Sequence, residues 1–199
     1  MIYLTSDEHY HHKNILTYIS RPYDSVEAMN EDMIIRHNSI VKPEDVVYHI
    51  GDFTLSRTAV TQILPRLNGI HHLIAGNHDA CHPVMSKSPE KLSNARQKYF
   101  DAGFKTIELE GSIKIGEFDC LMSHFPYYDP NPEFDQRYEK LRPRDEGKVL
   151  LHGHVHLCWK TKLSREGSLM INVGVDVNDY RPISVEEIEK LIKKSINKI

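Results

Sequence analysis

Cysteine is scarce and unpaired in this 199-residue chain: Cys81, Cys120 and Cys158 are odd in number and widely spaced. That speaks against a disulfide framework and against a cysteine-built zinc site, and predicts buried free thiols in a reducing compartment. No apolar run approaches the length of about 20 residues that a membrane-spanning helix needs. Basic charge is not in excess either. With 25 Lys and Arg against 28 Asp and Glu, the net charge of −3 provides no general polycationic surface for nucleic acid or anionic lipid. No repeat, low-complexity tract or linker divides the chain. A strand and a candidate ligand are reached by Asp7, which leaves no room for a signal peptide, so the expected location is cytoplasmic. The length suits one domain over 1–199, large enough to bury a core without covalent staples.

Histidine, by contrast, is abundant, with 13 residues. Five short apolar runs end in side chains that bind metals: 2–4 into Asp7 and His9, 46–50 into Gly51-Asp52, 73–75 into Gly76-Asn77-His78-Asp79, 120–122 into Ser123-His124, and 149–151 into His152-Gly153-His154-Val155-His156. Ligands of open α/β sheets gather outside the carboxyl ends of the strands, so this recurrence predicts one shared pocket.

The remaining pattern alternates strand and helix before turning to hairpins. Val26, Met29, Met33, Ile34, His37 and Ile40 recur at helical spacing after the capping pair Asp24-Ser25, predicting a helix over 26–40. Further helices are expected over 57–67, 89–100 and 186–196, the last Lys-rich and amphipathic. Strands are expected over 1–5 and 70–75, within 104–124, and over 149–152, 157–163 and 169–173. The stretch 125–144, rich in Pro, Tyr and charge, reads as a long loop and the only plausible lid.

Asp7 with His9, and His154 with His156, place ligands two residues apart at strand exits. Oxygen and imidazole donors without thiolate suit Mn²⁺, Fe, Zn²⁺ or Ni²⁺, whereas carboxylates alone would suit Mg²⁺ or Ca²⁺. Two divalent ions would bring four positive charges, of which Asp7 and Asp52 offset two. Such a site stays cationic enough to acidify water and to hold a phosphate. A mononuclear site, with one ligand set filled, is an alternative.

The series Asp7-Glu8-His9, Gly51-Asp52, Gly76-Asn77-His78-Asp79, Ser123-His124 and Gly153-His154-Val155-His156 resembles the calcineurin-like metallophosphoesterase superfamily in every element and in order, over residues 7 to 156. The resemblance implies an α/β four-layer αββα sandwich, two mixed sheets packed face to face with helices outside. It implies one divalent ion on Asp7, His9, Asp52 and His156 and another on Asp52, Asn77, His124 and His154, with Mn²⁺ foremost. It further implies in-line attack on phosphorus by a hydroxide between the ions, with His78 assisting the leaving group. Asp79 is expected to hold the His78 ring and favour its imidazolium form. The run 6–15 with Arg21-Pro22-Tyr23 is similar to short bacterial and phage members, which carry a Gly-His-Lys-Asn-Ile-like segment before an Arg-Pro pair. His11 departs from that pattern, standing where Gly is usual. His12 and Arg21 thereby become candidate phosphate or substrate contacts.

The function expected is hydrolysis of phosphate esters by two metal ions, preferably of phosphodiesters from nucleotides or nucleic-acid ends. A broad phosphomonoesterase is the alternative within the class, and a non-catalytic scaffold the alternative outside it. The expected partner is a small phosphorylated substrate, with no membrane and no obligate protein partner. Of the other histidines, His49 is expected to be a satisfied core residue, and His152 either a supporting partner of a ligand or simply packed. Tyr127, Tyr128 and Phe134 are expected to cover the loop or to stack on a base.

Overall fold

The computed structural model describes residues 1–56, 58–86, 88–131 and 136–197. Among the described residues, ten strands form two five-stranded mixed sheets. The first takes β1 (Ile2–Thr5), β2 (Val46–His49), β3 (Ile70–Ile74) and β4 (Thr106–Glu108) in parallel, with β10 (Ile183–Ser184) antiparallel on β1. The second has the order β5 (Glu110–Ile115), β6 (Phe118–Ser123), β7 (Val149–His152), β9 (Leu169–Asn172) and β8 (Thr161–Leu163). Its central strands β6, β7 and β9 are parallel, and the edge strands run the other way. The helices whose full extent lies in the described residues are α1 (Ile15–Tyr18), α2 (Val26–Ile40), α3 (Ala59–Ile63), α4 (Pro89–Ala102) and α5 (Val185–Ile196).

Strand alternation sorts the side chains into layers. Leu73 joins Met29 and Met33 of α2, Val60 of α3 and Tyr99 of α4 in one cluster, while its neighbour Ile74 joins a second cluster between the sheets. There Leu4 and Ile50 meet Met122, Leu151 and Ile171, closed by Ile188 and Ile192 of α5. A smaller cluster of Leu150, Val155, Trp159 and Met170 lies apart from both.

Helix ends follow local chemistry. Ser25 and Ser88 accept hydrogen bonds from the amides of Ala28 and Lys91, and Ser184 with Glu187 forms a reciprocal capping box at α5. Gly103, at φ 127°, closes α4. The helix expected over 57–67 is shorter. It covers Ala59–Ile63 and continues as a 3₁₀ turn over Leu64–Arg66, because Pro65 has no amide to donate; Arg57 lies outside the described residues. The strand expected over 157–163 narrows to β8. Ahead of it the chain turns, with the Cys158 amide donating to Val155 O and Asn172 Nδ2 donating to the carbonyls of His156 and Trp159. That turn leaves Cys158 exposed, against the expectation of a buried thiol, while Cys81 and Cys120 are buried. Helix α1 and strand β10 were not expected. The stretch 125–144 contains a 3₁₀ turn at Glu139–Leu141, and Phe134 lies outside the described residues. No helix among them is long and apolar enough to cross a membrane.

Beneath α2 lies a buried polar row. His49 contacts Glu8 Oε1 at 2.6 Å and His71 Nδ1 at 3.0 Å, and His71 Nε2 faces Leu67 O at 3.2 Å. With both rings neutral, all three contacts are satisfied only if the Glu8 carboxyl donates to His49, His49 to His71, and His71 to the carbonyl. Burial drives that state, raising Glu8 to about 8 and lowering His49 and His71 to about 3.

His37, 2.8 Å from Asn68 O, is likewise lowered to about 3 by burial. Its folded value lies below the unfolded one, so the unfolded chain binds more protons under about pH 6.5 and stability falls with acid at about 1.4 kcal/mol per pH unit. Metal-depleted wild-type protein should therefore lose about 2–3 kcal/mol more than His37→Gln between pH 6.5 and 4.5. Urea unfolding at both pH values measures this, and parallel losses would refute it.

Candidate active site

The carboxyl ends of β1, β2, β3, β6 and β7 lead into the sequence-predicted residues, and a bridge between Ser6 and Gly174 ties the two sheets together there. The backbone at these exits turns sharply. Asp7 (φ 57°), His9 (52°), Asp52 (55°), His154 (71°) and His156 (47°) all occupy the left-handed region, which costs a non-glycine residue on the order of 1 kcal/mol or more and clusters at functional sites. Glycine admits the close approaches between these loops. A Cβ at Gly76 would strike Asp52, and one at Gly153 would strike Ser6 and Asp7.

Two sets of ligand atoms converge. Those of Asp7, His9 and His156 lie within 4.8 Å of one another, as do those of Asp7, Asp52 and His124. Asp52 Oδ2 stands 3.7 Å from His9 Nε2 and 3.4 Å from His124 Nε2. His124 directs Nδ1 to Ile50 O at 2.9 Å, which turns Nε2 towards Asp52. The His154 amide donates to both oxygens of Asp7, and the His154 ring lies 5.2 Å from that of His124.

Several polar atoms here are buried without a hydrogen-bond partner: both ring nitrogens of His9, His124 Nε2 and Asn77 Oδ1. Buried polar groups are rarely left unpaired. Converging imidazole nitrogens and two carboxylates, with the buried, unpartnered amide oxygen of Asn77 at the exit of β3, fit divalent transition-metal ions.

The electrostatics agree with that fit. Burial would raise Asp52, but the adjacent His124 and then His9 hold it well below the usual carboxylate range. Burial opposes protonation of His124, yet Asp52 lifts it to about 9. The two form a carboxylate–imidazolium pair whose proton a cation would displace. Burial raises Asp7 and lowers His9 and His154.

A family profile, that of the calcineurin-like phosphoesterase superfamily domain, matches residues 1–182. The chain belongs to this superfamily. It is 31% identical over 198 residues to an uncharacterized protein of Methanocaldococcus jannaschii, covering 97% of this chain and 92% of the relative. It is 33% identical over 201 residues to the Gene 66 protein of Mycobacterium phage L5, covering 96% and 93%. A crystal structure of a protein of unknown function from Aquifex aeolicus is similar, with a TM-score of 0.66 at 31% identity and coverage of 96% and 98%. The two mixed sheets with flanking helices are those of a calcineurin-like phosphoesterase, and the protein is a phosphoesterase hydrolase with Asp and His clusters able to bind metal.

The surroundings of these clusters in the phosphoesterase correct two expectations. Arg21 does not face the pocket. Its guanidinium donates to the carbonyls of Asp7 and Glu8 at 2.6 and 2.7 Å and pairs with Asp176 at 2.8 and 3.1 Å, in a nearly solvent-free setting. Asp79 does not hold the His78 ring. Its carboxylate accepts from the amides of Asp52, Phe53 and Gly76 at 2.9–3.0 Å, because the tight turn over 76–79 sends the two side chains apart. Burial and then the Asp52 charge raise Asp79 to about 7.

His78 is half-buried, with its amide bonded to Asp52 Oδ1 at 2.8 Å and its ring 5.7 Å from that of His9. The His12 ring lies 5.4 Å from His9, with Nδ1 buried and unpartnered. His152 is a packed residue, bonded to Gly153 O and Trp159 Nε1. Tyr127 donates to Lys148 O, and the Tyr128 ring lies between Lys162 and Arg165 on the third cluster.

Asp176 is the residue the sequence did not signal. Its Oδ2 lies 2.8 Å from His156 Nδ1, which fixes that ring and presents the opposite nitrogen. Burial would raise Asp176, but the His156 contact and then Arg21 outweigh it and lower the group. Asp176 follows the exit of β9, so the rule that found the other five exits also applies to it.

Proposed function

We propose that this phosphoesterase hydrolyses phosphodiesters of nucleotide or nucleic-acid origin with two divalent transition-metal ions, Mn²⁺ foremost. The carrying observation is Asp52 Oδ2 facing imidazole nitrogens on both sides, since a carboxylate is the one side chain in the set able to join two cations while offsetting their charge. Asp7, His9, Asp52 and His156 would hold one ion; Asp52, Asn77, His124 and His154 would hold the other. When bound, the ions acidify water and offset charge growing on the phosphoryl oxygens.

His78 holds a proton for the leaving oxygen, its backbone anchored to the shared carboxylate. His12, on the His9 flank, contacts the phosphate. Arg21 and Asp176 orient the ligand loops, and the substrate is the only partner required. The preference for diesters rests on the family resemblance alone.

The test compares p-nitrophenyl phosphate, its bis-ester, and cyclic and linear nucleotides with Mn²⁺. Faster turnover of the diesters is expected. Preference for the monoester would make the protein a phosphatase, and silence on every substrate would make it a scaffold. His78→Ala should keep two ions and lose about 100-fold in kcat on diesters with poor leaving groups, with far less loss on nitrophenyl esters. Equal losses on both would remove His78 from the leaving-group role.

A further inference from the structure

The segment between β6 and β7 brings another carboxylate to the site. Asp129 is 6% exposed, and its Oδ2 lies 3.5 Å from His154 Nε2. That is longer than a charge-assisted hydrogen bond of about 2.7–2.9 Å. It matches the 3.4 and 3.7 Å at which Asp52 Oδ2 stands from His124 and His9. Two ligand atoms at about 2.1 Å from one cation, at tetrahedral or octahedral angles, stand about 3.0–3.4 Å apart.

The setting is built for it. The His154 ring is bounded by His124, Phe125 and Tyr138 at 5.0–5.2 Å. Arg142 donates to Pro126 O at 3.0 Å and stands 3.8 Å from the same Asp129 oxygen, which fixes where the carboxylate lies. The His124 ring lies 5.2 Å from that of His154, and the two-ion reading assigns both to the ligand set of the same ion. In that set Asp52 is shared, so Asn77, His124 and His154 offset no charge by themselves. A carboxylate beside His154 supplies the missing compensation.

We propose that Asp129 is a further ligand of the divalent ion held at His154. The proposal rests on the two-ion reading above. Metal-depleted wild-type protein, Asp129→Asn and Asp129→Ala are titrated with Mn²⁺ by calorimetry, and with Co²⁺ followed by its visible absorption. Asp129→Asn keeps the volume, should Asp129→Ala fail to fold.

In the variants the first ion should bind as in wild type. The second should weaken at least about tenfold, and the absorption of the second Co²⁺ equivalent should change. Two ions with unchanged affinities and spectra would overturn the proposal and leave the two-ion reading intact. Equal weakening of both ions, with a lowered melting temperature of the metal-free protein, would show a structural role and also overturn it. A wild-type protein that binds one ion overturns the two-ion reading. The Asp129 assignment then falls too if that ion keeps its affinity in Asp129→Asn, and stands if it does not.

Discussion

Asp52→Asn is expected to lower kcat/KM for a diester by at least about 1,000-fold, or about 4 kcal/mol, and to reduce bound Mn²⁺ from two ions to one or none. The substitution keeps the shape of the side chain. It removes the charge that faces His9 and His124 and that accepts the His78 amide. An amide oxygen cannot offset two cations, and its NH₂ group would face a metal or an imidazole nitrogen. Metal analysis after gel filtration and steady-state kinetics measure both effects. A variant that keeps two ions and activity within about tenfold would remove the shared carboxylate from the account.

Asp176→Ala carries the second large effect, on stability and metal affinity together. The Arg21 and Asp176 side chains are 0% and 1% exposed. Removing one partner leaves a buried charge uncompensated, which costs about 3–5 kcal/mol. The substitution also frees the His156 ring, and losing such a support typically weakens metal binding about 10–100-fold. Asp176→Asn, which keeps an acceptor for both neighbours, should fall between. Urea unfolding of metal-depleted protein and chelator competition separate the two effects. A loss of stability under about 1 kcal/mol would mean that Arg21 finds another acceptor.

The legible parts of this fold and site are those set by local rules. The Asp24-Ser25 pair marked one helix start, apolar spacing marked the helices that Ser88 and Ser184 prove to cap, and alternation within β5 and β6 marked strands. Five apolar runs ending in ligands gave the pocket, because parallel strands all leave a sheet at the same edge. The illegible parts depend on direction or distance. Arg21 and Asp176 are 155 residues apart, and an Arg-Pro pair reads the same whether its guanidinium points out to a phosphate or inward to carbonyls. His78 and Asp79 are adjacent, yet the turn that carries them sends one towards the pocket and the other onto backbone amides. Asp129 sits in a stretch without periodicity, so its meeting with His154 has no signature in spacing.

The positive φ angles at residues 7, 9, 52, 154 and 156 also constrain which substitutions the protein could accept over time. Apart from glycine, the side chains best tolerated in that conformation are Asn, Asp and His. The set found there contains only Asp and His, so coordination chemistry and main-chain geometry select from the same short alphabet. Exchange of one of these residues for Glu or Cys, ordinary ligands elsewhere, would meet a conformational barrier before any metal arrived. If the two-ion reading holds, drift towards a different ion would be channelled to positions 77 and 124, which lie outside that constraint.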